Sequence, residues 1–241
     1  MTSSTEIGKR LQVTCQNCSL STLCLPRGLH REDIERIGRL VNRKKTLQRG
    51  EYLYHKGEPF RGIIAIKAGT AKVVAYDDQD GEYIVGVLLP GELLGFDGLA
   101  SNRHSCSAVA LETLSYCELA ADQLDALCHE VPNLLRELFR HASARLEDGI
   151  EQAILHKKSA EARVALFLLD FSERLRLRGF SPHHFTLTLT RQDIGNYLGL
   201  ALETVSRILS GFQAAGLIAV RHRQIRVADL EGLRSVGAGQ R

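Results

Sequence analysis

The 241 residues carry 31 Lys and Arg against 28 Asp and Glu, with 44% hydrophobic and 24% charged residues, the balance of a globular chain with room for two modest domains. No run approaches the ~18 apolar residues that a bilayer crossing needs, and the first ten residues lack the apolar core and small-residue cleavage site of a secretory leader. A cytoplasmic protein with reduced thiols and no membrane partner is expected, so its six cysteines read as ligands, reactive thiols or small buried hydrophobes rather than a disulfide framework.

Residues 1–30 hold three of the cysteines and little amphipathic periodicity, so this arm is expected to owe its order to something it binds. Ile34, Ile37, Leu40 and Val41 then space one short helix. Between Gly50 and Gly98 lie nine of the 21 glycines, separating short apolar runs at Tyr52, Ile63, Ala71 and Tyr83 that predict a small antiparallel barrel or roll, and Ser107–Glu118 supplies one or two more strands. Asp77-Asp-Gln-Asp-Gly81 reads as a polar hairpin loop with Asp78 and Asp80 at its tip. His55 and His104 are expected to be solvated, as is the pair His183-His184.

Pro132 opens a long helical pattern in which Leu135, Phe139, Ala142, Leu146, Ile150 and Ile154 form one stripe. A long helix with a single apolar stripe needs a partner, and the same helix of a second subunit supplies one. Glu147, Asp148 and Glu151 crowd its later half, where like charges oppose pairing. Ser159 can cap the next helix, whose Val164, Leu166, Phe167, Leu169 and Phe171 are expected to face a core.

From Ser159 onward the chain has eleven Arg, no Lys and seven acidic residues. Thr190-Arg-Gln-Asp193 has the form of a capping box opening a short helix that Gly199 ends. A second helix from about Ala201 divides into an apolar face, Val205, Ile208, Leu209 and Phe212, and a polar face, Glu203, Ser206, Arg207 and Ser210. Two helices joined by a glycine-containing turn predict a helix-turn-helix whose second helix enters the major groove of double-stranded DNA. Arg207 can bond bidentately to guanine, Glu203 can accept from cytosine and Ser206 can reach a base edge or phosphate, each good base pairing being worth ~1–3 kcal/mol. Thr190, Arg191 and Ser210 join them as expected DNA-contacting residues. Leu217–Val220 and Ile225–Val227 flank Arg221-His-Arg-Gln224 as a wing with phosphate-seeking arginines.

Cys15-Gln-Asn-Cys18 followed by Cys24 puts three thiols close enough to share a metal. Zinc and a [4Fe–4S] cluster both accept four thiolates, so spacing does not separate them, and Cys106, Cys117 and Cys128 are all candidates for the fourth.

The stretch from Cys15 to Cys24, and the one from Gly179-Phe-Ser-Pro182 through Arg191 to Arg207, are similar to the two ends of the FNR-type oxygen regulators of the CRP/FNR superfamily, and the resemblance extends over nearly the whole chain. It implies an α+β fold: an iron–sulfur arm (1–30), an antiparallel β-roll of the cyclic-nucleotide-binding kind (31–130), a dimerisation helix (131–158) and a winged helix-turn-helix (159–241). It also implies that Cys117, after Ala110-Leu-Glu-Thr113, is the fourth ligand of a [4Fe–4S] cluster, with Cys106 and Cys128 as buried hydrophobes and with Ser19 and Leu23 shielding the cluster. Glu203, Ser206 and Arg207 would read palindromes with TTGAT-type half-sites, and Asp77, Asp78, Asp80 and Gly81 would touch RNA polymerase. The homodimer would form when the cluster assembles without oxygen and part when oxygen destroys it, activating or repressing transcription.

Three rivals remain, in falling order: a zinc- or thiol-based regulator on the same fold, a cyclic-nucleotide receptor and an enzyme, with a haem sensor on the same scaffold as a further option. For the second, Phe96-Asp97 stands where nucleotide binders place a ribose-contacting Glu, and Cys106-Ser107-Ala108 replaces their Arg-Ser-Ala, so no cyclic nucleotide is expected. No axial His stands out for haem. The absence of a catalytic triad, Walker loop or dinucleotide fingerprint argues against an enzyme.

Overall fold

The computed structural model of the chain describes residues 15–43, 46–79 and 81–239. The first fourteen residues of the predicted arm and the Asp80 expectation lie outside them.

After a turn of 3-10 helix at Cys15–Asn17, the arm runs in tight turns to α1 (Arg31–Leu40), whose Ile37 is fully buried. Among the described residues eight strands follow: β1 (Asn42–Arg43), β2 (Tyr52–Tyr54), β3 (Gly62–Ala68), β4 (Ala71–Tyr76), β5 (Glu82–Leu88), β6 (Leu93–Leu94), β7 (Ser107–Ala110) and β8 (Ser115–Ala120). They form two four-stranded antiparallel sheets, in the orders β1-β8-β3-β6 and β2-β7-β4-β5. This is the roll that the glycine-punctuated apolar runs predict, with Ser107–Glu118 resolved into two strands.

Strand β3 shows why the roll supports more than its own interior. Its first five residues are all buried. Because successive side chains leave a strand on opposite faces, Ile64 and Ile66 enter the core between the sheets with Leu88, Leu94 and Leu114, while Ile63 and Ala65 enter a second core outside it. That second core is roofed by α1, α2 (Ala121–Glu130) and the start of α3 (Pro132–Leu155), and it takes in Leu25 of the arm together with Cys15, Cys24, Cys117 and Cys128 at its edge. The arm is thus packed on the outer face of the β3–β8 sheet.

Helix α3 starts with Pro132 at its first turn, where the missing N–H is no loss. Ser159 caps α4 (Ala160–Leu177) by accepting from the Ala162 amide at 3.2 Å. Val164, Phe167 and Phe171 of α4 are buried as expected; Leu166 and Leu169 are half-buried and lie beside Gly237 of a last helix, α7 (Leu230–Gly237). Between them come β9 (His184–Thr186), α5 (Arg191–Leu198), α6 (Leu202–Ala214) and the hairpin β10 (Ile218–Arg221) with β11 (Gln224–Val227), in the sheet order β10-β11-β9. This unit does not close its core alone: Ile84, Val87, Leu89 and Leu111 of the roll belong to the same apolar cluster as Phe171, Leu198 and Val205.

Candidate nucleic-acid interface and cysteine centre

The two helices of the C-terminal unit are shaped by local chemistry. Thr190 accepts from the Asp193 amide at 3.0 Å and the Asp193 carboxylate accepts from the Thr190 amide at 2.9 Å, a reciprocal capping box. The Thr190 hydroxyl also donates to Asp193 at 2.6 Å, so it orients the start of α5. Gly199 ends the helix at φ 64°, and the Leu200 amide reaches back to the Gly195 carbonyl at 2.8 Å. That closure requires a glycine at 195 too, since a Cβ there would lie 2.5 Å from the Leu200 carbonyl oxygen.

Helix α6 then presents the predicted division. Val205, Ile208, Leu209 and Phe212 are buried, while Glu203, Arg207 and Ser210 are exposed and Ser206 half-exposed. Ser210 donates back to the Ser206 carbonyl at 3.0 Å, which leaves Glu203 and Arg207 as the longest polar reach from the face. Arg191 at the head of α5 and Arg221, Arg223 and Arg226 on the hairpin are also exposed. A polar helix face flanked by exposed guanidinium groups suits a duplex, whose phosphates take the arginines while the groove takes the helix.

At the other end, the arm turns through bonds from Ser21 to Cys18, Leu23 to Leu20, Cys24 to Leu20 and Arg27 to Cys24. It is anchored by Leu25, 4% exposed, by Leu23 against Gly91 and by Cys15 against Gly38 of α1, with Gln16 donating to Glu35 at 2.6 Å. Cys117 sits on β8, opposite Ala65 of β3. Burial pushes the Cys24 thiol up to about 12, and the nearby Cys117, Cys15 and Cys18 add to the rise. The buried Cys24 thiol resists ionisation by itself, and a cationic core bound by it as thiolate would remove the conflict. Among the described residues no three His, Cys, Asp or Glu side chains converge as ligands of one metal ion. A [4Fe–4S] core does not ask for that convergence, because each thiolate binds a different iron, and the donor set fits such a group.

Helix α3 runs from beside this centre. Its stripe is turned outward: Leu135, Phe139, Leu146, Ile150 and Ile154 are 44%, 67%, 73%, 62% and 57% exposed, with Ala142 half-exposed among them. Glu147 and Glu151 are exposed, whereas Asp148 takes Arg145 at 2.9 Å, which offsets part of the expected repulsion.

Two expectations need correcting. His104 is not solvated: it is 4% exposed, stacked on Tyr54 at 3.6 Å between ring centroids, with Nδ1 3.3 Å from both oxygens of Asp97. Cys106 is buried, yet it is more than a small hydrophobe, since its Sγ donates to Asp97 at 3.2 Å. The Asp97 carboxylate also accepts from the amides of Ser105 (3.0 Å) and Cys106 (3.4 Å) and from the Tyr54 hydroxyl (3.3 Å). One carboxylate therefore engages these donors inside the roll; burial and this charge push the Cys106 thiol up to about 12. In the 77–81 loop, Asp77 accepts from the amides of Gln79 and Gly81 and from the Tyr83 hydroxyl, bonds that hold its carboxyl below the usual range, while Asp78 is exposed.

Comparison with known proteins sorts these features. Residues 44–131 match the family described as a cyclic nucleotide-binding domain, and residues 162–236 match the Crp-like helix-turn-helix domain. The chain is 40% identical over 230 residues to the transcriptional activator protein anr of Pseudomonas aeruginosa, covering 95% of this chain and 94% of that protein. It is likewise 40% identical over 222 residues to the fumarate and nitrate reduction regulatory protein of Escherichia coli, covering 92% and 89%. The chain belongs to the CRP/FNR family of transcription regulators. Its fold is also that of FixK2 from Bradyrhizobium japonicum, with a TM-score of 0.75 at 26% identity over 81% of this chain and 96% of that one. As a CRP/FNR regulator it binds DNA through its helix-turn-helix and is not an enzyme. Among the described residues no helix is long and apolar enough to cross a membrane.

Proposed function

We propose that this CRP/FNR protein is a cytoplasmic oxygen-responsive regulator in which Cys15, Cys18, Cys24 and Cys117 hold a [4Fe–4S] cluster, and in which two chains pair through α3 to bind a palindromic operator with TTGAT-type half-sites. The single observation that carries this reading is the gathering of those four thiols beneath the arm, at the edge of the core that also receives the first turns of α3.

When bound, the cluster supplies iron–thiolate bonds that are strong in the absence of oxygen and are lost in its presence. The chain does the rest. Leu23, Leu25 and Cys15 seat the arm on the roll and on α1, so ligation becomes folding free energy for the arm. The seated arm and the base of α3 share one core, so its loss loosens that base. Pairing would bury the exposed stripe from Leu135 to Ile154, while Glu147 and Glu151 keep it marginal. A marginal pair is what a coupling of ~1–3 kcal/mol can switch. Two paired chains would present two α6 helices about one DNA turn apart, with Glu203, Ser206 and Arg207 on base edges and Arg191, Ser210 and the wing arginines on the backbone. Thr190 would act by fixing the head of α5. Asp78 and Gly81 mark the loop surface offered to RNA polymerase, with Asp77 shaping it. Asp97, drawing the amides of Ser105 and Cys106 onto its own carboxylate, supports the reading that this roll takes no cyclic nucleotide.

Purification without oxygen, with iron, sulfide and zinc analysis and sedimentation before and after air, tests the reading. Near four irons and four sulfides per chain, with dimers that part in air, are expected. Protein that carries zinc, or no metal, and pairs equally well in air overturns it.

A further inference from the structure

The DNA-binding unit is fastened to the roll along one strand, at both of that strand's ends. At the first end, Asn196 of α5 completes the free edge of β5: its Oδ1 accepts from the Ile84 amide at 2.6 Å and its Nδ2 donates to the Glu82 carbonyl at 2.7 Å. Beside it, Lys72 of β4 donates at 2.6 Å to the Asp193 carboxylate, the same group that closes the capping box.

At the far end, Arg174 of α4 donates to the Val87 carbonyl at 2.6 Å, and Arg178 donates to the Pro90 carbonyl at 2.7 Å. Both guanidinium groups converge on Glu92, just beyond β5: Arg174 reaches both its oxygens (3.1 and 2.7 Å) and Arg178 reaches Oε1 at 2.6 Å. Arg145 of α3 comes to the same carboxylate at 3.4 Å. The Glu92 side chain is only 18% exposed.

Apolar burial between the roll and the C-terminal unit is non-directional and would tolerate rotation. Bidentate guanidinium–carboxylate bonds and a two-point amide clamp on an edge strand do not. Fastenings at Glu82 and Ile84 near one end of β5, and at Val87, Pro90 and Glu92 at and beyond its other end, therefore fix both the position and the tilt of α5, and with it α6, relative to the roll. Arg145 carries the same reference onto the helix proposed to pair.

We infer that Glu92 and Lys72, by locking the DNA-binding unit onto the roll on either side of β5, set the half-site spacing that the regulator accepts. They are positioning residues and need not touch DNA. The inference rests on the pairing through α3 proposed above. One added base pair moves a half-site by about 3.4 Å along the axis and by about a tenth of a turn around it. A locked unit must break contacts to follow such a change, and an unlocked one can swing.

The test uses the full chain purified without oxygen and a set of operators with half-sites at the preferred separation, one base pair closer and one base pair further apart, plus a lone half-site. Glu92→Gln with Lys72→Met removes the charged contacts of the lock from the roll side only, leaving the Asn196 clamp and every residue of the helix-turn-helix in place. The unaltered chain is expected to lose about tenfold in affinity on either shifted operator, comparable to losing one good base contact. The double variant is expected to lose no more than about twofold to threefold on the same shift, with lone half-site affinity and base preference unchanged. Lys72→Met alone should move the profile part of the way, which keeps the test decisive where the double variant does not fold. A variant profile that tracks the unaltered chain overturns this inference alone. An unaltered chain indifferent to spacing, and monomeric on sedimentation, overturns the pairing reading instead.

Discussion

The two ends of this molecule are built by opposite strategies. The helix-turn-helix is made from neighbours: Thr190 is capped by Asp193, Gly195 and Gly199 close α5, and the two faces of α6 are separated by single helical turns. The cysteine centre is made from strangers, with Cys15, Cys18 and Cys24 brought to a residue on β8 some ninety positions later and held by scattered contacts at Leu23, Leu25 and Gln16. Local closure gives a reading head whose helix ends and faces are set by neighbouring residues, although the roll completes its core. Long-range closure gives a joint whose order, on the function proposed above, would depend on one shared ligand, which is the property a switch needs.

Substitutions at each end can break that contrast. The largest effect is expected at the cysteine centre, where Cys117→Ser should abolish iron incorporation and pairing without oxygen, while Cys106→Ser, inside the roll with Asp97, should leave iron content unchanged. Iron and sulfide analysis of the two purified variants decides it, and exchanged results would mean that the ligand set is wrong. Next comes the surface between the two ends. Leu146→Asp places an unpaired charge in the middle of the exposed stripe and should weaken pairing by about 3 kcal/mol or more, read by sedimentation without oxygen, with iron content unaffected. If the variant pairs as well as the unaltered chain, the stripe is not the pairing surface.

At the reading head the effect should be smaller and confined. Arg207→Ala is expected to weaken specific binding by ~1–3 kcal/mol and relax preference at the contacted G·C pair. Cluster content and sedimentation should not change, because Arg207 is exposed on α6, away from the cysteines and the α3 stripe. Binding measured against operators mutated at that pair gives the answer, and undiminished preference would mean that α6 docks differently.

Legibility in the sequence followed the same division. The capping box, the turn glycine, the two-faced α6 and the outward stripe from Leu135 to Ile154 are all periodic or local, and the structure has them where the spacing puts them. Helix α2 escaped notice because nothing caps it: its first residues follow β8 directly and no side chain bonds to its N-terminus. His104 reads as a solvent-facing loop histidine until Tyr54, fifty positions earlier, is stacked on it. Glu92 carries little local signal, since apart from the Leu89 amide its partners Arg145, Arg174 and Arg178 all lie more than fifty residues away. Sequence spacing speaks for contacts made within a helix or a hairpin, and a network between domains has no period.

That network also gives the contrast its gentlest test, through pH. Burial alone would raise the Glu92 carboxyl, but Arg174, Arg145 and Arg178 outweigh it and hold the group below the ordinary carboxylate range; Lys72 and the capping bonds outweigh burial in the same way at Asp193. A carboxyl whose folded value is depressed contributes stability that is present above its unfolded value, near 4.3 for Glu and 3.9 for Asp, and that fades as pH falls through the lower folded value. The lock between the roll and the reading head is therefore fully made at neutral pH and weakens only in acid below about 4. Hydrogen exchange followed downward in pH should show the Ile84 amide, which is bonded to Asn196, losing protection before the interior amides of α6, which are held by their own helix. Glu92→Gln should shift that first loss and leave the second where it was. Were both sets of amides to open together in both proteins, α6 would not be held by its own helix, and the contrast between local and long-range closure would have to be given up.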